Sequence, residues 1–106
     1  MAKPAASPEI EVREQEQLIP LYHVVLLDDD EHTYDYVVRM LVRLFAYSVR
    51  ESFAMAREVD TTGRVVVATT HRERAELKCE QIAGFGPDPL IVYSRGSMRA
   101  CIEPCI

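Results

Sequence analysis

The chain has 106 residues, 48% of them hydrophobic, and carries 12 Lys and Arg against 17 Asp and Glu for a formal net charge of -5. That length suits one small domain with a modest core. The acidic balance works against nonspecific nucleic-acid binding, which depends on Lys and Arg neutralising phosphates, so neutral or basic partners are expected instead.

No apolar run reaches the roughly 20 residues that span a bilayer. The start MAKPAASPEIEVREQEQ lacks the apolar segment of a signal peptide, and a soluble cytoplasmic protein is expected. Cys79, Cys101 and Cys105 are odd in number and lack the paired close spacing of a zinc knuckle, so they read as reduced thiols. Cys101 and Cys105 lie an even number apart on an expected strand, which lets both face the core.

In chain order, residues 1–20 combine Pro4, Pro8 and Pro20 with Glu9, Glu11, Glu14 and Glu16 and few large apolar side chains. Such a composition cannot offset the entropy of ordering, so a flexible tail is expected ahead of a core domain over 21–106. The run LYHVVLL, residues 21–27, is rich in β-branched and aromatic residues and predicts a short buried strand. Tyr34, Val37, Val38, Leu41, Leu44 and Phe45 then recur with the spacing of an amphipathic helix.

Ser48 and Glu51 stand at capping-box spacing and predict a second helix running to about residue 59, with Gly63 soon after its end. RVVVA, residues 64–68, predicts the second strand, and Thr70 to Glu73 is another capping-box match opening a third helix. On that helix Ala75, Cys79, Ile82 and Ala83 are expected to face inward. GFGPDP, residues 84–89, is turn chemistry, and the stretch from Leu90 onward, including MRACIE, is expected to supply the closing strand or strands. The order β-α-α-β-α-β predicts a two-layer α/β sandwich of the α+β kind: a small, mostly antiparallel three-stranded sheet with three helices on one face.

Asp28, Asp29 and Asp30 follow the first strand directly and precede the first helix. One of them could cap that helix or favour its positive end. Otherwise such a cluster suits a hard metal ion or an ammonium group. The calcium-loop pattern with a glycine at its sixth position is absent, and an α-amine, cationic at neutral pH, is the better match for several carboxylates.

Ala56, Val59 and Asp60 stand at i, i+3 and i+4, which puts two apolar residues and a carboxylate on one helix face near its C-terminal end. A carboxylate there opposes the helix dipole, as a functional residue or simply as a solvated one. His23, His32 and His71 are scattered, and no Ser or Cys has an evident base nearby. No cofactor motif is present, so an enzyme is not expected; a metal-dependent enzyme built on the acidic cluster is the competing class.

The pattern YHVVLLDDDEHTYDYVVRMLVRLF, a short helix, GRVVVATTHRERAELK and a final DPL resembles the ClpS family of adaptor proteins over about residues 21–103. The family motif reads roughly V-V-L-x-N-D-D-x-x-T/P before a helix. The resemblance implies a module without catalytic activity or cofactor. Such adaptors capture proteins with a bulky apolar N-terminal residue, the N-degron, and pass them to the unfoldase ClpA or ClpC for degradation by ClpP, with the N-terminal extension taking part in delivery.

The family's amine-binding Asn falls on Asp28, its first motif Asp on Asp29 and its amine-binding His on Asp60. The side-chain pocket falls on Tyr34, Val37, Ala56, Val59 and Leu90, where family members more often carry Met at the first and third of these. The unfoldase-facing surface falls on Glu73 and Lys78, which match. The changes at Asp28 and Asp60 leave two functions open: an adaptor that still binds N-degrons, or a relative that binds the unfoldase with altered or lost degron recognition.

Overall fold

The computed structural model describes residues 20–105; the tail expected over residues 1–20 lies, except for Pro20, outside them. The elements are β1 (Leu21–Leu27), α1 (Tyr34–Phe45), α2 (Val49–Thr62), β2 (Arg64–His71), α3 (Arg72–Ala83) and β3 (Ala100–Pro104). The sheet order is β2-β1-β3 with both pairings antiparallel, which agrees with the expected class and element order. Helix α3 packs against all three strands, α2 against β2 and α1, and α1 against α2 and α3.

The pairing of β1 with β2 skips a residue, because Val24 faces Ala68 while Val25 faces Val66. The extra residue, Val67, makes a bulge that shifts the two-residue period of β2. Val65 and Val67 are buried before the shift, and Ala68 and Thr70 after it. The bulge therefore keeps β2 facing the core along its whole length, where a strict alternation would have turned Ala68 outward. Strand β2 accordingly runs three residues beyond the expected 64–68.

Thr33 caps α1, its hydroxyl accepting from the Tyr36 amide at 3.1 Å. Ser48 and Glu51 form both halves of the capping box on α2, each bond 3.0 Å long. Helix α2 runs past residue 59 to Thr62 and stops at Gly63, whose φ of 92° is left-handed backbone that glycine adopts without a Cβ penalty.

The third helix differs in its start. Thr70 and His71 remain paired with Tyr22 and Leu21 on β1, so the helix opens one residue later than expected and His71 is the cap, its Nδ1 accepting from the Arg74 amide at 3.4 Å. Strand pairing has outweighed the local Thr-x-x-Glu signal. On the inner face Ala75 and Ile82 are buried as expected and Cys79 is half-buried, but Ala83, in the last turn, is exposed.

Residues 90–99 do not form a strand; the closing strand is Ala100–Pro104 alone. Residues 84–99 instead fold as a loop held by side chains. Ser97 accepts from the Gly86 amide at 2.7 Å and donates to Ala83 O at 2.9 Å, and Ser94 accepts from the Asp88 amide at 2.9 Å. These bonds, with further ones from Glu31, His32, Thr33 and Tyr36, pair polar groups that a strand would pair with a neighbour. Met98, at its end, is buried in the core.

Candidate functional site

Asp28 is the first residue after β1, and its amide donates to Gly63 O at 3.0 Å. Gly63 closes α2, so this bond draws the last turn of that helix, with Asp60 on it, alongside the end of β1. Asp28 and Asp60 are both exposed at this junction. Burial of its surroundings pushes the Asp28 carboxyl above its ordinary value, and the charges of Asp60, Asp29 and Asp30 push the same way against the amide of Asp29, which lowers it. These groups form an anionic site that a cation would relieve.

Asp60 has one partner within the site: the Tyr34 hydroxyl donates to its Oδ2 at 2.7 Å. That bond holds the Tyr34 proton more tightly than usual, with the nearby charge of Asp28 adding to the effect. The Tyr34 ring also meets Phe53 with centroids 5.4 Å apart. Beneath, Val37, Ala56 and Val59 are buried in one cluster, with Tyr34 packed against it. The two helices α1 and α2 thus bring four of the five expected pocket residues together.

Leu90 is 64% exposed in the 84–99 loop, its amide donating to Asp88 Oδ1 at 2.9 Å. A cleft of about 520 Å³ lined by Arg39, Arg43, Leu44, Gln81, Phe85 and Pro87 includes none of the expected pocket residues. Among the described residues no group of three or more His, Cys, Asp or Glu is arranged to hold a metal ion.

Asp29 is positioned differently from its neighbours. Its Oδ1 accepts from the Glu31 amide at 2.8 Å and from His32 Nδ1 at 2.7 Å, and its Oδ2 lies 2.9 Å from the same ring nitrogen. Asp88, 2% exposed, accepts from the amide and hydroxyl of Thr33 at 2.7 and 2.8 Å. Burial alone would raise the Asp88 carboxyl, but the bonds from Thr33 and Leu90 and the charge of His32 hold it below its ordinary value.

Against this geometry, the family described as ATP-dependent Clp protease adaptor protein ClpS matches residues 17–88 of the chain. The chain belongs to the ClpS family. The ClpS adapter of Vibrio cholerae serotype O1 is 30% identical over 83 residues, covering 74% of this chain and 78% of that one. The Roseobacter denitrificans adapter is 36% identical over 66 residues, 62% of this chain and 58% of that one. Among solved structures, Agrobacterium tumefaciens ClpS2 bound to L-phenylalaninamide matches with a TM-score of 0.69 at 25% identity, over 80% of this chain and 96% of that one.

As a ClpS adaptor, the protein is a partner of the ATP-dependent Clp protease rather than an enzyme. Among the described residues, no helix is long and apolar enough to cross a membrane. Glu73 is exposed in the first turn of α3. Lys78, expected on the same outer surface, is 8% exposed; its ammonium donates to Leu44 O at 2.5 Å and lies 5.0 Å from the Phe45 ring centroid. It joins α3 to the end of α1, where orphan carbonyls accept readily.

His32 and Asp88 were not singled out by sequence reasoning. Asp88 lies in turn-forming residues and bonds to a partner 55 positions away, and His32, though three residues from Asp29, also reaches a carbonyl 64 positions away, so local spacing reveals neither long-range tie. Met98, expected in the closing strand as part of MRACIE, instead lies before it at the end of the loop and is buried in the core.

Proposed function

We propose that this ClpS-family protein captures proteins bearing a bulky apolar N-terminal residue and delivers them to the unfoldase ClpA or ClpC for degradation by ClpP. The observation that carries the reading is the convergence of Asp28, Asp29 and Asp60 where the end of β1 meets the last turn of α2, with Asp28 and Asp60 exposed. An α-amine is a compact cation at neutral pH that such carboxylates hold by charge-assisted hydrogen bonds. The ligand of Agrobacterium tumefaciens ClpS2, L-phenylalaninamide, presents such an amine together with a bulky apolar side chain.

The side chain would enter between α1 and α2, over Val37, Ala56 and Val59, with Tyr34 narrowing the mouth. Ala56 leaves depth there. Leu90, exposed in the 84–99 loop, would contribute from that loop. Asp28 stands where the family has an amide that both accepts and donates, so it can hold the amine but cannot donate to the substrate carbonyl. Asp60 replaces the family's histidine as an acceptor.

Glu73 and the surface of α3 around Lys78 would face the unfoldase, and residues 1–20 would act in delivery as a segment apart from the 21–106 core. One buried apolar side chain contributes about 1.5 to 3 kcal/mol and each charged hydrogen bond about as much, so affinity near micromolar is expected after the cost of association.

The test is fluorescence anisotropy of labelled peptides starting with Leu, Phe, Tyr or Trp, each beside its N-acetylated twin, at neutral pH. Roughly micromolar binding that acetylation abolishes is the expected result. Binding that survives acetylation would overturn the amine reading. No binding by any peptide, with retained unfoldase binding, would instead assign the protein as a regulator that has lost degron recognition.

A further inference from the structure

The His32 side chain is 2% exposed and lies between two groups from distant parts of the chain. Its Nδ1 is 2.7 Å from Asp29 Oδ1, and its Nε2 is 2.6 Å from Gly96 O in the 84–99 loop. A carboxylate and a carbonyl both only accept, so the ring makes both bonds only when each nitrogen carries a proton. The ring thus lies buried between Asp29 and the loop, in contact with both.

Charged and aromatic groups surround the ring. Asp29 is in direct contact, and Asp88, which anchors the first half of the same loop, interacts electrostatically with the ring. The other face meets Tyr36, with centroids 4.4 Å apart, and the Tyr36 hydroxyl donates to Gly86 O. A second tie runs alongside, from the Arg95 amide to Glu31 Oε1 at 3.1 Å.

The bonds also determine which oxygen of Asp29 is available. Oδ1 already accepts from the Glu31 amide and His32, whereas Oδ2 shares only the longer contact to the ring. The Asp29 side chain is 27% exposed, enough for a ligand to reach it. A carboxylate held in this way presents Oδ2 without having to be ordered when a ligand arrives, which removes part of the entropic cost of binding.

We infer that His32 is a positioning residue that fixes Asp29 for an incoming amine and couples it to the 84–99 loop, so that the order of the loop and the affinity of the acidic site rise and fall together. The part concerning affinity rests on the amine reading proposed above. The coupling of Asp29 to the loop does not. By reciprocity, a ligand at Asp29 tightens the loop as much as an ordered loop tightens the ligand.

The experiment compares the full chain with His32→Phe, which keeps a ring against Tyr36 but has no nitrogen, His32→Gln, which donates to one partner at a time, and Asp29→Ala. Binding of L-phenylalaninamide and of a Phe-initiated peptide is titrated, and amide hydrogen exchange is followed at residues 94–97 with and without ligand.

Affinity about tenfold lower in His32→Phe is expected, with partial recovery in His32→Gln. Loop protection should fall in both His32→Phe and Asp29→Ala. Wild-type affinity and unchanged loop protection in both His32 variants would show that the ring only packs. Should the wild type bind neither ligand, the amine reading fails while Asp29→Ala still decides the coupling: unchanged loop protection there overturns it.

Discussion

Asp28 shows how a single side chain can reduce stability while serving a site. Its carboxyl is raised because its surroundings are partly desolvated and because Asp60, Asp29 and Asp30 repel a further negative charge. A carboxyl raised in the folded state makes its ionised form unfavourable there, so the penalty exists above the unfolded carboxylate value near about 4 and disappears when pH falls below both. Asp28→Asn should therefore raise the thermal midpoint at neutral pH, with the gain vanishing in acid. Calorimetry at neutral pH and at about pH 3 checks this, and an equal gain at both would show that charge repulsion is not the cause. That three aspartates shared one strand end was legible from the sequence. That Asp29 would differ from Asp28 was not, since its partners are His32 and, through it, a distant carbonyl.

At the scale of the element, the helices follow their local signals closely because caps act within three or four residues. The Thr33 cap on α1 and the Ser48–Glu51 box on α2 both form, and each contributes about 1 kcal/mol. One end is suboptimal. Helix α1 stops at Ala46, whose φ of 60° places a Cβ in left-handed backbone, whereas α2 stops at a glycine. Ala46→Gly should stabilise the fold by about 1 kcal/mol, read from chemical denaturation at constant m-value; a loss of stability would mean that the Ala46 methyl contributes packing that outweighs the strain. The third helix is the instructive exception, because Thr70 carries a capping signal but stays in β2, paired with Tyr22. A ladder extending from the sheet took the residue that the local motif claimed.

For the molecule as a whole, long-range polar ties decide how the 84–99 loop is held. Asp88 joins that loop to the cap of α1 across 55 residues, through bonds from Thr33 and a third from Leu90. Its carboxyl is held low in the folded state despite burial, so its contribution to stability is present above the unfolded value and is lost as pH falls through the lower folded one. Asp88→Asn turns an amide donor toward one of those three donors and should cost about 2 kcal/mol at neutral pH, with the difference from the wild type shrinking in acid. An undiminished difference in acid would assign the loss to packing instead. By itself the sequence determined the element order, the fold class, the cap of α2 and the residues from which an anionic site could be built, because periodicity, capping and charge clustering act over a few neighbouring positions. The tertiary structure alone decided that Asp60 meets Tyr34 and adjoins Asp28, that Lys78 turns inward to Leu44, that the bulge at Val67 keeps β2 facing the core, and that residues 90–99 form a loop rather than a strand. Each of these depends on donors and acceptors brought together by packing from distant parts of the chain, and no local pattern encodes such a meeting.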